Sequence, residues 1–330
     1  IFMVSSIGVV DADLAIQDID NIDNAIYQGN VTLNKFDIGV LLNDRTIGAV
    51  TGSANVDGQG FTQKYLNTSV KGKIESFYYN QYNYHNITVD GTMKMPYFKG
   101  YFNSNDPNLR MDFDGIIDMS SKINNYNFVS NVDYADLYAL HFNKKDTISI
   151  LKGKISMDAK GSSLDNLDGK LVLENISYQN VQKSFFFNDF QVTSSFDEDK
   201  VRTITVNSTD IVQGKVVGKY KINQVQKMFE NAIGSLYANY VPNKLEKEQF
   251  LNFDFTIYNK IIEVFVPDVS ISKNTRLKGR INGDEGKFEL DFTSPEVLAF
   301  KNSFNNIKVD IDNKNPLYNT YVVMDSMRVG

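Results

Sequence analysis

The chain contains no cysteine and no tryptophan, and among its 330 residues there are only two histidines and six prolines. Without cysteine there can be no disulfide framework, thiolate nucleophile, cysteine zinc site or iron–sulfur cluster. His85 and His141 lie far apart in sequence, which weakens any histidine-based metal site or Ser-His-Asp arrangement. Six prolines with 21 glycines exclude a proline-rich or collagen-like chain. Basic residues are in the minority, 34 against 40 acidic, for a net charge of −6. That balance argues against nucleic acid as a partner, because non-specific phosphate binding needs clustered Lys and Arg. No apolar run approaches the roughly 18 residues of a spanning helix. The opening Ile1-Phe2-Met3-Val4 soon meets Ser5 and Ser6, so it is neither signal peptide nor anchor. It starts inside a strand pattern, so the chain reads as an excerpt, and any targeting segment or anchor is expected outside it.

What the sequence has in abundance is alternation of period two, carried by an aromatic-rich composition of 23 Phe and 18 Tyr. In Leu109-Arg110-Met111-Asp112-Phe113-Asp114-Gly115-Ile116-Ile117-Asp118-Met119 the odd positions are apolar or Gly, and the even ones are charged except Ile116. A strand with this pattern has one apolar and one wet face. The same reading fits Leu251, Phe253, Phe255 and Ile257. It fits Ile262, Val264 and Val266, then Phe288, Leu290 and Phe292, then Ile307, Val309 and Ile311, and also Ile148 and Ile150. Such alternation marks antiparallel sheets with one solvated face. About twenty strands are expected.

Asp-Gly pairs at Asp57-Gly58, Asp90-Gly91, Asp114-Gly115 and Asp168-Gly169 read as turn signals. Gly115 is the exception, expected in mid-strand at a bulge or bend. Asn282-Gly283-Asp284-Glu285-Gly286 reads as a hairpin loop. A weak repeat of Gly, then Lys or Arg, then an apolar residue recurs at Gly72, Gly153, Gly169, Gly214, Gly218, Gly279 and Gly286. Its irregular spacing excludes a fixed-length solenoid; it suggests one strand unit used many times, or common strand-entry chemistry.

Two segments break the β pattern. Val132 to Phe142 has room for a short helical turn. Residues 222–240 read as an amphipathic helix, with Val225, Phe229, Ala232, Ile233, Leu236 and Tyr240 on one stripe and Pro242 as its stop.

About twenty alternating strands must hide their apolar face in a sandwich, a closed barrel, or a sheet curled lengthwise. One good helix is little cover for so much apolar surface. The expected fold is therefore mainly β, an elongated antiparallel sheet curled lengthwise around an open hydrophobic groove, with one amphipathic helix. Residues 1–330 would form one continuous segment, on the order of 100 Å long if strands about 4.8 Å apart follow in sequence. The groove-lining candidates are Leu109, Met111, Phe113, Ile148, Ile150, Leu251, Phe253, Phe255, Ile262, Val264, Phe288 and Phe292. The competing reading makes them the core of a closed sandwich. Charged substitutions at Phe253 and Phe255 should abolish contact with an apolar occupant, read by crosslinking, if they line a groove. The helix would either plug the groove or pack at a kink in the sheet.

Other constellations point to solvated or structural roles. Asp112, Asp114 and Asp118 lack the spacing of a calcium loop and fall on the wet face. Asp106-Pro107-Asn108 reads as a turn, and the two histidines as residues with local hydrogen bonds. Tyr78, Tyr79, Tyr82 and Tyr84 suggest a sugar-stacking or membrane-interface patch, or edge packing. No nucleophile–base pair or cofactor loop appears, so no cofactor and no enzymatic activity are expected.

Several stretches, in order, resemble a known family. Tyr84-His85-Asn86-Ile87-Thr88-Val89-Asp90-Gly91 is similar to the strand–turn units of the AsmA-like superfamily. So are Phe98-Lys99-Gly100-Tyr101-Phe102, Asp106-Pro107-Asn108-Leu109 and Phe113-Asp114-Gly115. Residues 202–208, 214–220, 234–240 and 312–321 continue the likeness, which runs from about Val31 onward. More narrowly, the chain resembles an interior portion of the TamB group of the translocation and assembly module, in its Bacteroidota version. The resemblance implies a periplasmic, taco-shaped β-sheet with a hydrophobic groove. It also implies an inner-membrane anchor outside this chain, an outer-membrane partner of the Omp85 class (TamA-like), and phospholipid as cargo. The implied role is phospholipid transport between membranes and support of outer-membrane protein assembly. The alternatives are an outer-membrane β-barrel or a secreted carbohydrate-binding or adhesin β-sandwich.

Overall fold

The computed structural model describes residues 1–234, 239–258, 268–284, 286–313 and 319–329. The chain is mainly β and antiparallel, with 21 strands and two helices among these residues, and the strands are not closed into a barrel. It divides into two compact units: residues 1–162 with 173–186, and residues 163–172 with 187–330.

In the first unit the strands are β1 (Phe2–Ser5), β2 (Gly8–Gln17), β3 (Ile26–Asp37), β4 (Ile47–Gln59) and β5 (Asn67–Tyr79). They continue as β6 (Tyr82–Lys94), β7 (Tyr97–Asn105), β8 (Leu109–Asp118), β9 (Asn125–Asp136) and β10 (Ser149–Lys160). Each pairs with the next in sequence, an up-and-down meander. Register makes the period of two a property of the whole sheet. One transverse row runs Ala12, Val31, Ala54, Gly72, Val89, Phe102, Phe113, Ser130, Ile155. The row beside it runs Asp11, Thr32, Ser53, Lys73, Thr88, Asn103, Asp112, Asn131, Lys154, so one face is apolar and the other polar.

The Gly-Lys-apolar repeat is this in–out–in pattern read along a strand. Gly72 and Ile74 stand in apolar rows with Lys73 between them on the wet side. The Asp-Gly pairs are not turns: Asp57-Gly58, Asp90-Gly91 and Asp114-Gly115 lie within β4, β6 and β8. Asp168-Gly169 opens β11 (Asp168–Asn180). The aspartates face water, where Asp90 meets Lys71 at 2.7 Å. Gly91, Gly100 and Gly115 fall opposite one another in a single inward row. No register shift occurs at Gly115; the shift in that ladder lies between Arg110 and Met111. Tight hairpins use other residues. Asn80-Gln81 joins β5 to β6 with φ of 47° and 68°, the doubly left-handed form that matches strand twist.

The first unit carries two covers on its apolar face. One is α1 (Ile38–Leu42), a short helix absent from the sequence reading, capped by Asp37 Oδ1 accepting from Val40 N and ended by Asn43 in the left-handed region. The other is the turn 137–142, which begins after β9. Asp136 Oδ1 accepts from Tyr138 N and Ala139 N, and Leu140 is buried among Tyr84, Ile87, Val132 and Ala135.

β12 (Ser184–Phe196) has residues in both units, as does β11. The second unit adds β13 (Arg202–Asn207), β14 (Val212–Lys219), α2 (Ile222–Gly234), β15 (Phe250–Ile257) and β16 (Val269–Ile271). It ends with β17 (Thr275–Asn282), β18 (Lys287–Ala299), β19 (Asn302–Asp312), β20 (Asn319–Val323) and β21 (Ser326–Arg328). The ladder runs β12, β13, β14, β15, β17, β18, β19, with β16 on β18 and both β20 and β21 on β19. Asn282 at the end of β17 pairs with Lys287 at the start of β18, so the Asn-Gly-Asp signal falls at the hairpin between them.

Candidate functional site: an apolar cavity on the first sheet

Two adjoining cavities lie on the inward face of the first unit, of about 380 Å³ and 280 Å³. They share Ile38 and Leu42 of α1, Val50 of β4, Val70 and Ile74 of β5, and Val89 and Met93 of β6. The larger extends over Phe98 and Phe102 of β7 and Met111, Phe113 and Ile117 of β8. All of its lining side chains are apolar. The smaller continues to Leu14, Tyr27 and Val31, where Phe61 stacks on Tyr27 with ring centroids 4.6 Å apart. Such a space attracts hydrocarbon, because each buried CH₂ is worth about 0.8 kcal/mol. Methionines 93, 95 and 111 add side chains that adapt to different occupants.

The cavity forms because the sheet presents one large apolar face while α1 and the turn 137–142 cover only part of it. Backbone polar groups are absorbed by the ladder, which runs without register shift from β5 through β8. The inward hydroxyls are also satisfied: Ser104 donates to Leu109 O at 2.8 Å and Ser130 to Asp112 O at 2.7 Å.

The sequence-predicted lining residues separate into groups. Met111 and Phe113 line the larger cavity, and Leu109 packs beside it against the cluster around Leu140. Ile148 and Ile150 are corrected. Ile148 precedes β10 and is 40% exposed. Ile150 lies opposite Asp136, whereas Leu151, opposite Ala135, joins the apolar cluster. β10 keeps its alternation through Leu151, Gly153 and Ile155, which puts Ile150 on the other face; the extra residue of the register shift lies in β9, where Val132 and Ala135 are three apart.

Leu251, Phe253 and Phe288 belong to the second unit and form a closed core with Ile281 under Met228 and Ala232 of α2. Phe229 lies 5.6 Å from Phe253, ring to ring. For these residues the closed-core reading holds, since the helix fills the space over them. Phe255 packs at the margin of the same cluster, and Phe292 is half-buried opposite Leu277 and Val309. Ile262 and Val264 lie outside the described residues, as do Val266 and Leu236. α2 centres its stripe on Met228 and Ala232, leaving Ile233 46% exposed. Tyr240 is not helical; it turns back to donate its hydroxyl to Asn231 Oδ1 at 2.9 Å.

The lining residues missed in the sequence carry the same signal as those found. Val70 and Ile74 fall on one face of an alternating strand, as do Ile87 and Val89, and Phe98 and Phe102. Ile38 and Leu42 gave no such signal, because α1 is too short for a helical stripe to show.

The remaining candidates are structural. Asp112 accepts from Asn131 Nδ2 at 2.9 Å and Asp118 from Ser120 N at 2.9 Å, both on the wet side. Among the described residues no cluster of three or more His, Asp or Glu could hold a metal. The tyrosine patch divides: Tyr82 and Tyr84 pack at the cluster around Leu140, while Tyr78 and Tyr79 stay exposed. No described helix is long and apolar enough to cross a membrane.

No protein-family model matches the chain, and no curated protein or solved structure is similar to it.

Proposed function

We propose that the chain is a lipid-carrying protein rather than an enzyme, and that the first unit holds acyl chains on its inward face. The observation that carries this reading is the 380 Å³ cavity, lined wholly by apolar side chains, on a sheet whose other face is polar. Hydrocarbon tails would occupy the cavity while head groups stay in water at its margin. Many equivalent apolar contacts and no polar anchor favour movement along the face over fixed, oriented binding.

On the resemblance to the TamB group, this chemistry would belong to the periplasm. There the chain would be part of a bridge that carries phospholipids between the inner and outer membranes and supports outer-membrane protein assembly. The inner-membrane anchor would lie outside this chain, and the outer-membrane partner would be of the Omp85 class. Nucleic acid is not a partner on this reading, given the net acidic charge. The open ladders speak against a membrane-spanning barrel, and the unfilled cavity against a dry adhesin sandwich. Native mass spectrometry of the purified chain tests the proposal. Co-isolated phospholipid is the expected result; a chain that remains lipid-free after exposure to phospholipid vesicles would refute it.

A further inference from the structure

The cavity's lining says which chains it should accept. We infer that the first unit takes plain hydrocarbon chains and discriminates against chains that carry a hydroxyl in their middle; this rests on the acyl-binding reading above. The larger cavity offers no side-chain donor or acceptor, since residues such as Val70, Val89, Phe102 and Met111 are all apolar. The strands beneath it, β5 to β8, pair without register shift, and apart from the unpaired Glu75 and Asn86 the β5–β6 ladder is unbroken, so the backbone under the cavity is engaged with itself. Of the inward hydroxyls, Ser104 and Ser130 line neither cavity and Thr68 lines only the smaller one, and each donates to a backbone carbonyl. A hydroxyl halfway along a chain would leave water and find no partner here. A buried unpaired polar group of that kind weakens binding by about tenfold or more. A head group escapes the penalty because it stays at the margin.

Competition against a fluorescent fatty acid, with stearate and mid-chain-hydroxylated stearate as competitors, tests this on the full chain. Stearate is expected to displace the probe at a concentration at least about tenfold lower than its hydroxylated analogue. Val70→Thr places a hydroxyl in the cavity at a half-buried position and should narrow that ratio to about threefold or less. Val89→Thr serves the same purpose if the first variant is unstable. Equal competition by the two stearates in the unmodified chain would overturn the inference and leave acyl binding standing. An unchanged ratio in a folded threonine variant would also overturn it, since the lining would not be the source of selectivity. A probe that does not bind at all would defeat the acyl-binding reading itself.

Discussion

The phenol of Tyr82 donates a 2.7 Å hydrogen bond to Oδ1 of Asp106, a carboxylate with no solvent exposure. Asp106 also accepts from His85 N at 2.8 Å and Asn108 N at 2.7 Å, and Asn108 Nδ2 reaches back to the Tyr82 hydroxyl. One side chain thus ties β6 to the turn between β7 and β8, beside the apolar cluster. Asp106→Ala should cost about 3 kcal/mol and Tyr82→Phe about 1.5 kcal/mol, because hydrogen bonds to a charged group exceed neutral ones. Denaturant titration checks both. Changes below about 0.5 kcal/mol would mean that the network is not holding the turn.

Alkali should weaken the first unit in a defined window. Burial pushes both Tyr82 and Tyr84 up to about 12, from an ordinary 10.0, and for Tyr82 the hydrogen bond to Asp106 adds to this. The neutral phenols are favoured in the folded state. Their contribution is therefore complete below pH 10, where both states are protonated, and declines between pH 10 and 12 as the unfolded phenols ionise first. Denaturation midpoints measured across that range should fall, and Tyr84→Phe should make the fall shallower. A slope unaffected by Tyr84→Phe would show that its ionisation is not linked to folding.

Phe253 separates core from cavity. It is buried beneath α2, so Phe253→Ala should destabilise the second unit by about 3–4 kcal/mol in denaturant unfolding. The charge substitutions that seemed from sequence to test lipid contact at Phe253 would instead break a packed core. Their counterpart on the exposed cavity surface lies in the first unit. A loss under about 1 kcal/mol at Phe253 would indicate that α2 does not cover it tightly.

Gly100 has φ of 149°, and a Cβ there would stand 2.4 Å from Asp90 O and from Gly91 Cα. Gly100→Val should therefore cost at least about 2 kcal/mol, from backbone strain and the collision between β6 and β7. Thermal unfolding reads this directly. A variant as stable as the parent would show that the glycine row is dispensable.

Much of this architecture is written in the alternation. The strand carrying Leu109, Met111 and Phe113 is where the pattern puts it, and Met111 and Phe113 reach the cavity. Asp90-Gly91 misleads because a local turn signal and an outward Asp next to an inward Gly are the same two letters. Only the ladder, which sets Gly91 against Gly100 and Gly100 against Gly115, distinguishes them. Ile150 misleads because Ile148 and Ile150 alternate with each other but out of phase with Leu151, Gly153 and Ile155, and one residue suffices to exchange faces. Of the covers, the turn 137–142 and α2 fall in segments that break the alternation, while α1 left no signal, and which of their residues are buried was not legible. Leu140, α1 and Met228 are placed by tertiary contacts, and those decide which apolar residues become core and which remain open.

Val89 and Thr88 are neighbours in β6 on opposite faces, and the absence of native cysteine allows a single photoreactive probe to be attached at either position through an introduced cysteine. Crosslinking to phospholipid in vesicle-exchanged protein is the most direct test of the central claim. The account predicts a lipid adduct from the probe at residue 89 and little or none from residue 88. Equal adducts from both positions, or none from residue 89 in a folded protein, would contradict it.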